Sequence, residues 1–250
     1  MDYQGLHGEW DADGYIVLRG YIGGRQLENL QSKIDQFIHD VVPRMPCEKV
    51  FFEDKQRPET LKQLQSLHDY DEYFAELFLE GSFPTLAARL LGENVIPTNI
   101  QYFNKPPGAG QPTPAHQDGY YFKLEPCAAL TMWVALDVVD EENGCMRYVR
   151  GSHRRGMRPH GRTKTLGFSQ GIIDFPRAED VADERPVLAQ PGDGIVHHAM
   201  TIHRANANRS NRSRRALGLT YYAASAREDV LVKDAYHAEL IEGLAKAGRI

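Results

Sequence analysis

Residues 128–139 read AALTMWVALDVV. The run is long, largely apolar and without a helical period, so it predicts a strand buried on both faces. Its surroundings are β-like. TNIQYFN (98–104) predicts a strand that ends at the breaker KPPGAGQP (105–112), and ENG (142–144) predicts a turn into a further strand, CMRYV (145–149). PVLAQ (186–190), a PGDG turn and IVHHAMTIH (195–203) give two more strands. A polar turn, RANANRSNRS (204–213), leads into the closing strand RRALGLTYYAA (214–224). Between these, residues 150–185 are rich in Arg, Gly, His and Pro and predict a long loop with at most short elements.

The front of the chain has another texture. Gly14–Leu18 is a strand candidate. Residues 25–42 place Leu27, Leu30, Ile34, Phe37, Ile38 and Val41 at helical spacing, and Leu61, Leu64 and Leu67 continue that period. Tyr73, Phe74, Leu77 and Phe78 repeat it before Gly81, and SFPTLAARLL (82–91) predicts a helix with Pro84 in its first turn. Ala235, Leu240, Ile241 and Leu244 return to helical spacing. The expectation is one mainly β domain: helical support over 1–95, a β core over 96–224 and a C-terminal helix over 225–250. At 250 residues the chain is long enough to bury a large core.

Charge and composition narrow the function classes. A net charge of −5 gives no global pull toward nucleic acid or acidic membranes. No apolar run approaches the roughly 18 residues that cross a bilayer. The opening MDYQGLHGEWDADGYIVL has no basic n-region followed by an apolar segment, so no secretory signal is expected. Cys47, Cys127 and Cys145 form no CxxC pair and are odd in number. A reducing cytoplasm is the expected setting. A small-molecule substrate is the expected partner; oligomeric state is not legible.

The chemistry begins at PAHQDGYYF (114–122). On a strand, His116 and Asp118 at i and i+2 point to one face and could aim an imidazole and a carboxylate at one ion. Alone the pair is weak, because ten histidines make an HxD expected by chance about once. The second half of the chain adds His197, His198 and His203 after a tight turn. One more imidazole would complete a 2-His-1-carboxylate facial triad, the set that suits Fe(II) oxygenases. Arg214 follows His203 by eleven residues, where a hairpin could return it to the metal. It shares a strand face with Ala216, Gly218 and Thr220, which leaves room for a bound carboxylate; Arg215 shares the opposite face with Leu217 and Leu219.

With these residues in place, residues 98–222 resemble the phytanoyl-CoA dioxygenase family of 2-oxoglutarate oxygenases. The resemblance is carried by IQYFNKPPG, HQDGYYF, LTMWVALDVVDEENGCMRYVRGSH, PGD followed by HHAMTIH, and the hairpin ending in RRA. It implies a double-stranded β-helix (a cupin-like jelly roll) supported by N-terminal helices. It also implies Fe(2+) with 2-oxoglutarate and O2 as co-substrates. By this resemblance His116, Asp118 and His203 match the iron ligands. Arg214 matches the arginine that pairs with the distal carboxylate of 2-oxoglutarate, and Gln101 and Trp133 match positions lining the co-substrate. His197 and His198 then fall outside the ligand set. Ala205 departs from the family, where a serine often helps hold that carboxylate. The implied activity is hydroxylation of a C–H bond, with release of succinate and CO2. Halogenating relatives lack the carboxylate ligand, which Asp118 supplies here.

Around this site, Tyr102 and Tyr120 are substrate candidates, Tyr120 because a strand continuing past Asp118 would aim it at the metal. The basic segment RGSHRRGMRPHGR (150–162) offers Arg158 and His160 for an anionic group of a small, polar or anionic metabolite. Lys105 reads as a turn residue. Two other functions compete: a catalytically idle jelly-roll metabolite sensor or partner-binding module, and a metal enzyme that needs no 2-oxoglutarate.

Overall fold

A computed structural model describes residues 3–166 and 168–232, with residues 234, 235, 238 and 242 beyond them. The N-terminal part carries helix α1 (Tyr3–Asp13), strand β1 (Tyr15–Leu18), helix α2 (Gly24–Asp40), strands β2 (Val50–Phe52) and β3 (Leu61–Leu64), and helices α3 (Glu72–Leu79) and α4 (Ser82–Leu91). The central part runs β4 (Val95–Lys105), β5 (Thr113–His116), a short helical turn α5 (Gly119–Phe122), β6 (Leu124–Glu125), β7 (Ala129–Ala135) and β8 (Met146–Val149). Then come β9 (His160–Thr165), β10 (Phe168–Ile172), α6 (Ala178–Asp183), β11 (Glu184–Val187), β12 (Gly194–His198), β13 (His203–Ala205), β14 (Arg214–Ala223) and β15 (Arg227–Glu228).

The strands form two facing antiparallel sheets. One has seven strands in the order β1-β12-β7-β14-β4-β3-β2, and the other four in the order β11-β8-β13-β5. This is the jelly-roll arrangement, with helices covering the outside of the larger sheet. Strand β7 shows why its sequence has no polar alternation. Leu130, Met132 and Val134 join Leu30, Ile34, Phe37, Phe74, Phe78 and Phe83 in the core beneath the helices. Trp133 and Ala135, on the other face, join Cys145, Met146, Tyr148 and Ile195 between the sheets. All seven residues of β7 are buried.

Three sequence expectations need correction or refinement. Leu61 and Leu64 lie on strand β3, paired with β2 and β4, and not on a helix. Their three-residue spacing came from a strand running straight into a short 3-10 turn at Leu67–Asp69. The segment 150–185, expected as a long loop with at most short elements, carries such short elements in a more ordered arrangement, the β9–β10 hairpin and α6 before β11. Its arginines are balanced by acids: Arg150 on Asp13 and Arg155 on Asp183. At the C-terminus, Ala224 and Ser225 form a turn and β15 pairs with β6 before a helix starts at Val230. Leu240, Ile241 and Leu244 lie outside the described residues. No helix among those described is long and apolar enough to cross a membrane.

The PGD turn joins the N-terminal part to the sheet. Gly192 has φ +88°, and a Cβ there would sit 1.9 Å from the Ile22 carbonyl oxygen. Asp193 accepts from the Gly20 and Gln190 amides and pairs with Arg19 at 2.6 Å. Gly192→Ala is expected to cost at least ~2 kcal/mol of stability, combining left-handed strain with a backbone clash. The check is the shift in the denaturant midpoint.

Candidate metal and co-substrate site

The two histidines come from neighbouring strands of the four-stranded sheet. His116 ends β5 and pairs in register with His203, which opens β13. Their rings lie 4.2 Å apart between centroids, and both are almost fully buried. Each ring is turned by its Nδ1. His116 Nδ1 lies 2.8 Å from the Pro114 carbonyl and His203 Nδ1 lies 3.0 Å from the Thr201 carbonyl. A carbonyl only accepts, so each Nδ1 carries a proton and each Nε2 points inward, where a metal would find it.

Asp118 does not continue the strand as the i, i+2 reading assumes. Its backbone is helical (φ −56°, ψ −36°) and it precedes α5. The carboxylate still arrives between the imidazoles, with Oδ1 at 3.4 Å from His116 Nε2 and 3.7 Å from His203 Nε2. These three side chains offer ligand atoms that all lie within 4.8 Å of one another, and they are the one such group among the described residues. Burial would raise the Asp118 carboxyl, but the surrounding imidazoles of His203, His116 and His197 hold it well below the usual carboxylate range. Burial, with His116 and His197 close by, pushes His203 well below the usual histidine range. Two imidazoles and one carboxylate on one side of a cavity leave adjacent positions open, and this donor set fits Fe(II).

The same cavity carries a second feature. It is lined by Trp133 and Arg214 from the larger sheet, by Thr113 beside His116, and by Lys62 and Lys105. Arg214 is 4% exposed, yet its Nε has no hydrogen-bond partner. Its guanidinium lies 5.2 Å from the Trp133 ring centroid. Burial pushes its pKa down to about 10, so it remains a cation at neutral pH. Arg215, on the other face, is held by Asp137 and Asp35. The strand-face distinction between the two arginines therefore matches the structure.

Lys105 is not a turn residue. It is buried, stands in register with Arg214 across β4 and β14, and donates to the Gln111 carbonyl and, at 3.4 Å, to Thr113 Oγ1. Burial and then Arg214 hold its pKa well below the usual lysine value. Lys62 is paired with Glu53 at 3.0 Å. Gln101 sits one step back, accepting at 2.8 Å from Gln63, which lines the cavity. Ala205 offers no hydroxyl, but its register partner Thr113 does.

The proposed substrate residues fare differently. Tyr102 faces away from the cavity into the core under the helices, because β4 alternates and Phe103 and Lys105 take the inner face. Tyr120 lies on α5, where its ring stacks on His160 at 4.2 Å. Arg158 is bound by Asp174 at 2.6 Å and Asp180 at 3.2 Å, so it is no free anion receptor. His160 accepts from the Gln117 amide and faces the Arg158 carbonyl, and burial pushes its pKa down to about 4. It is neutral and has both ring nitrogens satisfied. The residues sequence reasoning missed are Thr131, Thr113 and the two lysines. Thr131 had a signal: it is the one hydroxyl in an apolar run, two residues from Trp133.

A family model described as phytanoyl-CoA dioxygenase matches residues 10–216. Among curated proteins, the methylphosphonate hydroxylase of Gimesia maris is 27% identical over 236 residues, covering 92% of this chain and 83% of that protein. The human peroxisomal phytanoyl-CoA dioxygenase is 22% identical over 229 residues, covering 86% of this chain and 67% of that enzyme. Among solved structures, EctD from S. alaskensis with 2-oxoglutarate and 5-hydroxyectoine has the same fold, with a TM-score of 0.74 at 22% identity, covering 92% of this chain and 78% of that one.

Asp118→Ala is expected to weaken binding of a divalent ion such as Ni(II) at least a hundredfold, since it would remove the only carboxylate of the candidate ligand set. Calorimetric titration of the metal-free protein measures this.

Proposed function

The chain belongs to the phytanoyl-CoA dioxygenase family of Fe(II)- and 2-oxoglutarate-dependent oxygenases, and on that premise we propose that it hydroxylates a small anionic metabolite. In this reading His116, Asp118 and His203 hold the iron, and Arg214 receives the distal carboxylate of 2-oxoglutarate. One observation carries it: a buried guanidinium that has no carboxylate partner among the described residues shares a cavity with a two-histidine, one-carboxylate cluster. A buried cation without an anion is costly unless a ligand supplies one. Thr113 and Lys105 stand beside Arg214 and offer a hydroxyl and an amino group for the same carboxylate. Trp133 gives Arg214 an aromatic face. When bound, iron with 2-oxoglutarate and O2 supplies the oxidising power, with succinate and CO2 as by-products.

The substrate class follows from the charge of the cavity. Lys62 is paired with Glu53, whereas Arg214 is a buried cation with no carboxylate partner among the described residues. A desolvated cation in a low-dielectric cavity favours anionic over neutral molecules. The G. maris relative, named for a small phosphonate, matches over more of both chains than the human acyl-CoA enzyme does. Both points support a small anion such as a phosphonate or carboxylate.

The test is a screen of small phosphonates and carboxylates for substrate-stimulated succinate release by the Fe(II)-loaded protein. Tight 2-oxoglutarate binding without turnover on any compound would instead favour the sensor reading. Arg214→Met is expected to weaken 2-oxoglutarate binding by about 2–4 kcal/mol, roughly thirtyfold or more. It should leave the thermal midpoint of the ligand-free protein equal or higher, because a desolvated charge is gone. Unchanged 2-oxoglutarate affinity in Arg214→Met would sink the assignment of this residue.

A further inference from the structure

The two oxygens of Asp118 have different partners. Oδ1 is the oxygen that faces His116 and His203. Oδ2 turns away from them and accepts from Thr131 Oγ1 at 2.7 Å, while His197 Nε2 lies 3.0 Å from it. Thr131 and His197 are direct register partners on β7 and β12, so one rung of the larger sheet presents both donors to one oxygen.

The protonation of His197 follows from its neighbours. A carboxylate only accepts, so Nε2 must carry a proton. The Tyr148 hydroxyl lies 3.1 Å from Nδ1, within hydrogen-bond distance. Tyr148 is fully buried, with its ring 4.7 Å from Tyr15 and 5.6 Å from His203. A hydrogen-bonded line therefore joins Tyr148, His197 and Asp118, with His197 Nε2 donating to the carboxylate.

We propose that His197 is a positioning residue that, with Thr131, clamps Oδ2 and so presents Asp118 to the metal through Oδ1 alone. This rests on the reading of His116, Asp118 and His203 as the metal ligands. The consequence concerns coordination number. A facial triad with a monodentate carboxylate leaves three positions, two for a chelating 2-oxo acid and one for O2. A carboxylate free to rotate can bind through both oxygens and take one of those positions. Partners that fix a ligand carboxylate from outside typically contribute 10–100-fold to metal affinity. Tyr148 acts one step further out, by holding the His197 ring in place.

Co(II) is the probe, because its visible spectrum reports coordination number in the metal-loaded protein. His197→Phe keeps the ring's bulk and removes the donor. It is expected to lower Co(II) affinity about 10–100-fold and to blunt the spectral change on adding 2-oxoglutarate. His197→Gln, whose amide can donate to the same oxygen, is expected to recover most of both. Tyr148→Phe should fall between the two. If His197→Phe binds Co(II) within about twofold of the parent, with the same response to 2-oxoglutarate, His197 is packing only and the proposal is overturned. If His197→Phe does not fold, Thr131→Val removes the other half of the clamp and must lower Co(II) affinity in the same direction; unchanged affinity there overturns the proposal as well. Failure of the underlying site reading would look different, since Asp118→Ala and His203→Ala would then bind Co(II) like the parent.

Discussion

A carboxylate buried between two sheets must be matched by donors, and much of this protein's interior is arranged around that requirement. Asp118 meets His116 and His203 from the smaller sheet and Thr131 and His197 from the larger one. Those partners come from β5, β13, β7 and β12, so the position of one side chain depends on the register of both sheets. A one-residue slip of β12 against β7 would send His197 to the helical face and a valine or second histidine inward. The helices on the outside contribute by burying the other face of β7, which fixes the strand that carries Thr131 and Trp133.

Much of this was legible in the sequence, for reasons that can be named. Strand β7 announced itself by being apolar on both faces. The strand-face argument on β14 separated Arg214 from Arg215, because alternation is a rigid rule within a strand. The failures came where a local rule met an element boundary. Asp118 looked like a strand residue two steps from His116, yet the chain leaves β5 and turns helical there. Tyr120 was misplaced by the same assumption. Leu61, Leu64 and Leu67 imitate a helix because a strand and a 3-10 turn happen to meet. Arg158 and His160 looked available because the acids that engage Arg158, Asp174 and Asp180, lie 16 and 22 residues away and only folding brings them together. Lys62 and Lys105 gave no signal, since a lysine destined for the interior has the same letter as one destined for water.

The candidate anion receptor therefore lies away from where composition suggested it. The arginine-rich segment after β8 is largely neutralised by acids, while Arg214, a cation with no carboxylate partner among the described residues, sits deep between the sheets. Depth makes the difference, because the same charge is screened at the surface and strongly felt in a low-dielectric cavity.

Arg214 stands in register with Lys105 across β4 and β14, and if it receives the co-substrate as proposed, co-substrate supply is linked to the stability of the protein itself. A guanidinium held out of water without an anion opposes folding, and a bound carboxylate would relieve that cost. A ligand that binds only the folded chain adds RT ln(1 + [L]/Kd) to its stability, about 2.7 kcal/mol at a hundredfold excess over Kd. For a protein of ordinary marginal stability that is a sizeable share of the total. In the cell, such a chain would survive longest when 2-oxoglutarate is plentiful and would be the more easily unfolded and degraded when it is scarce. Its abundance would then follow a metabolite without any dedicated regulator.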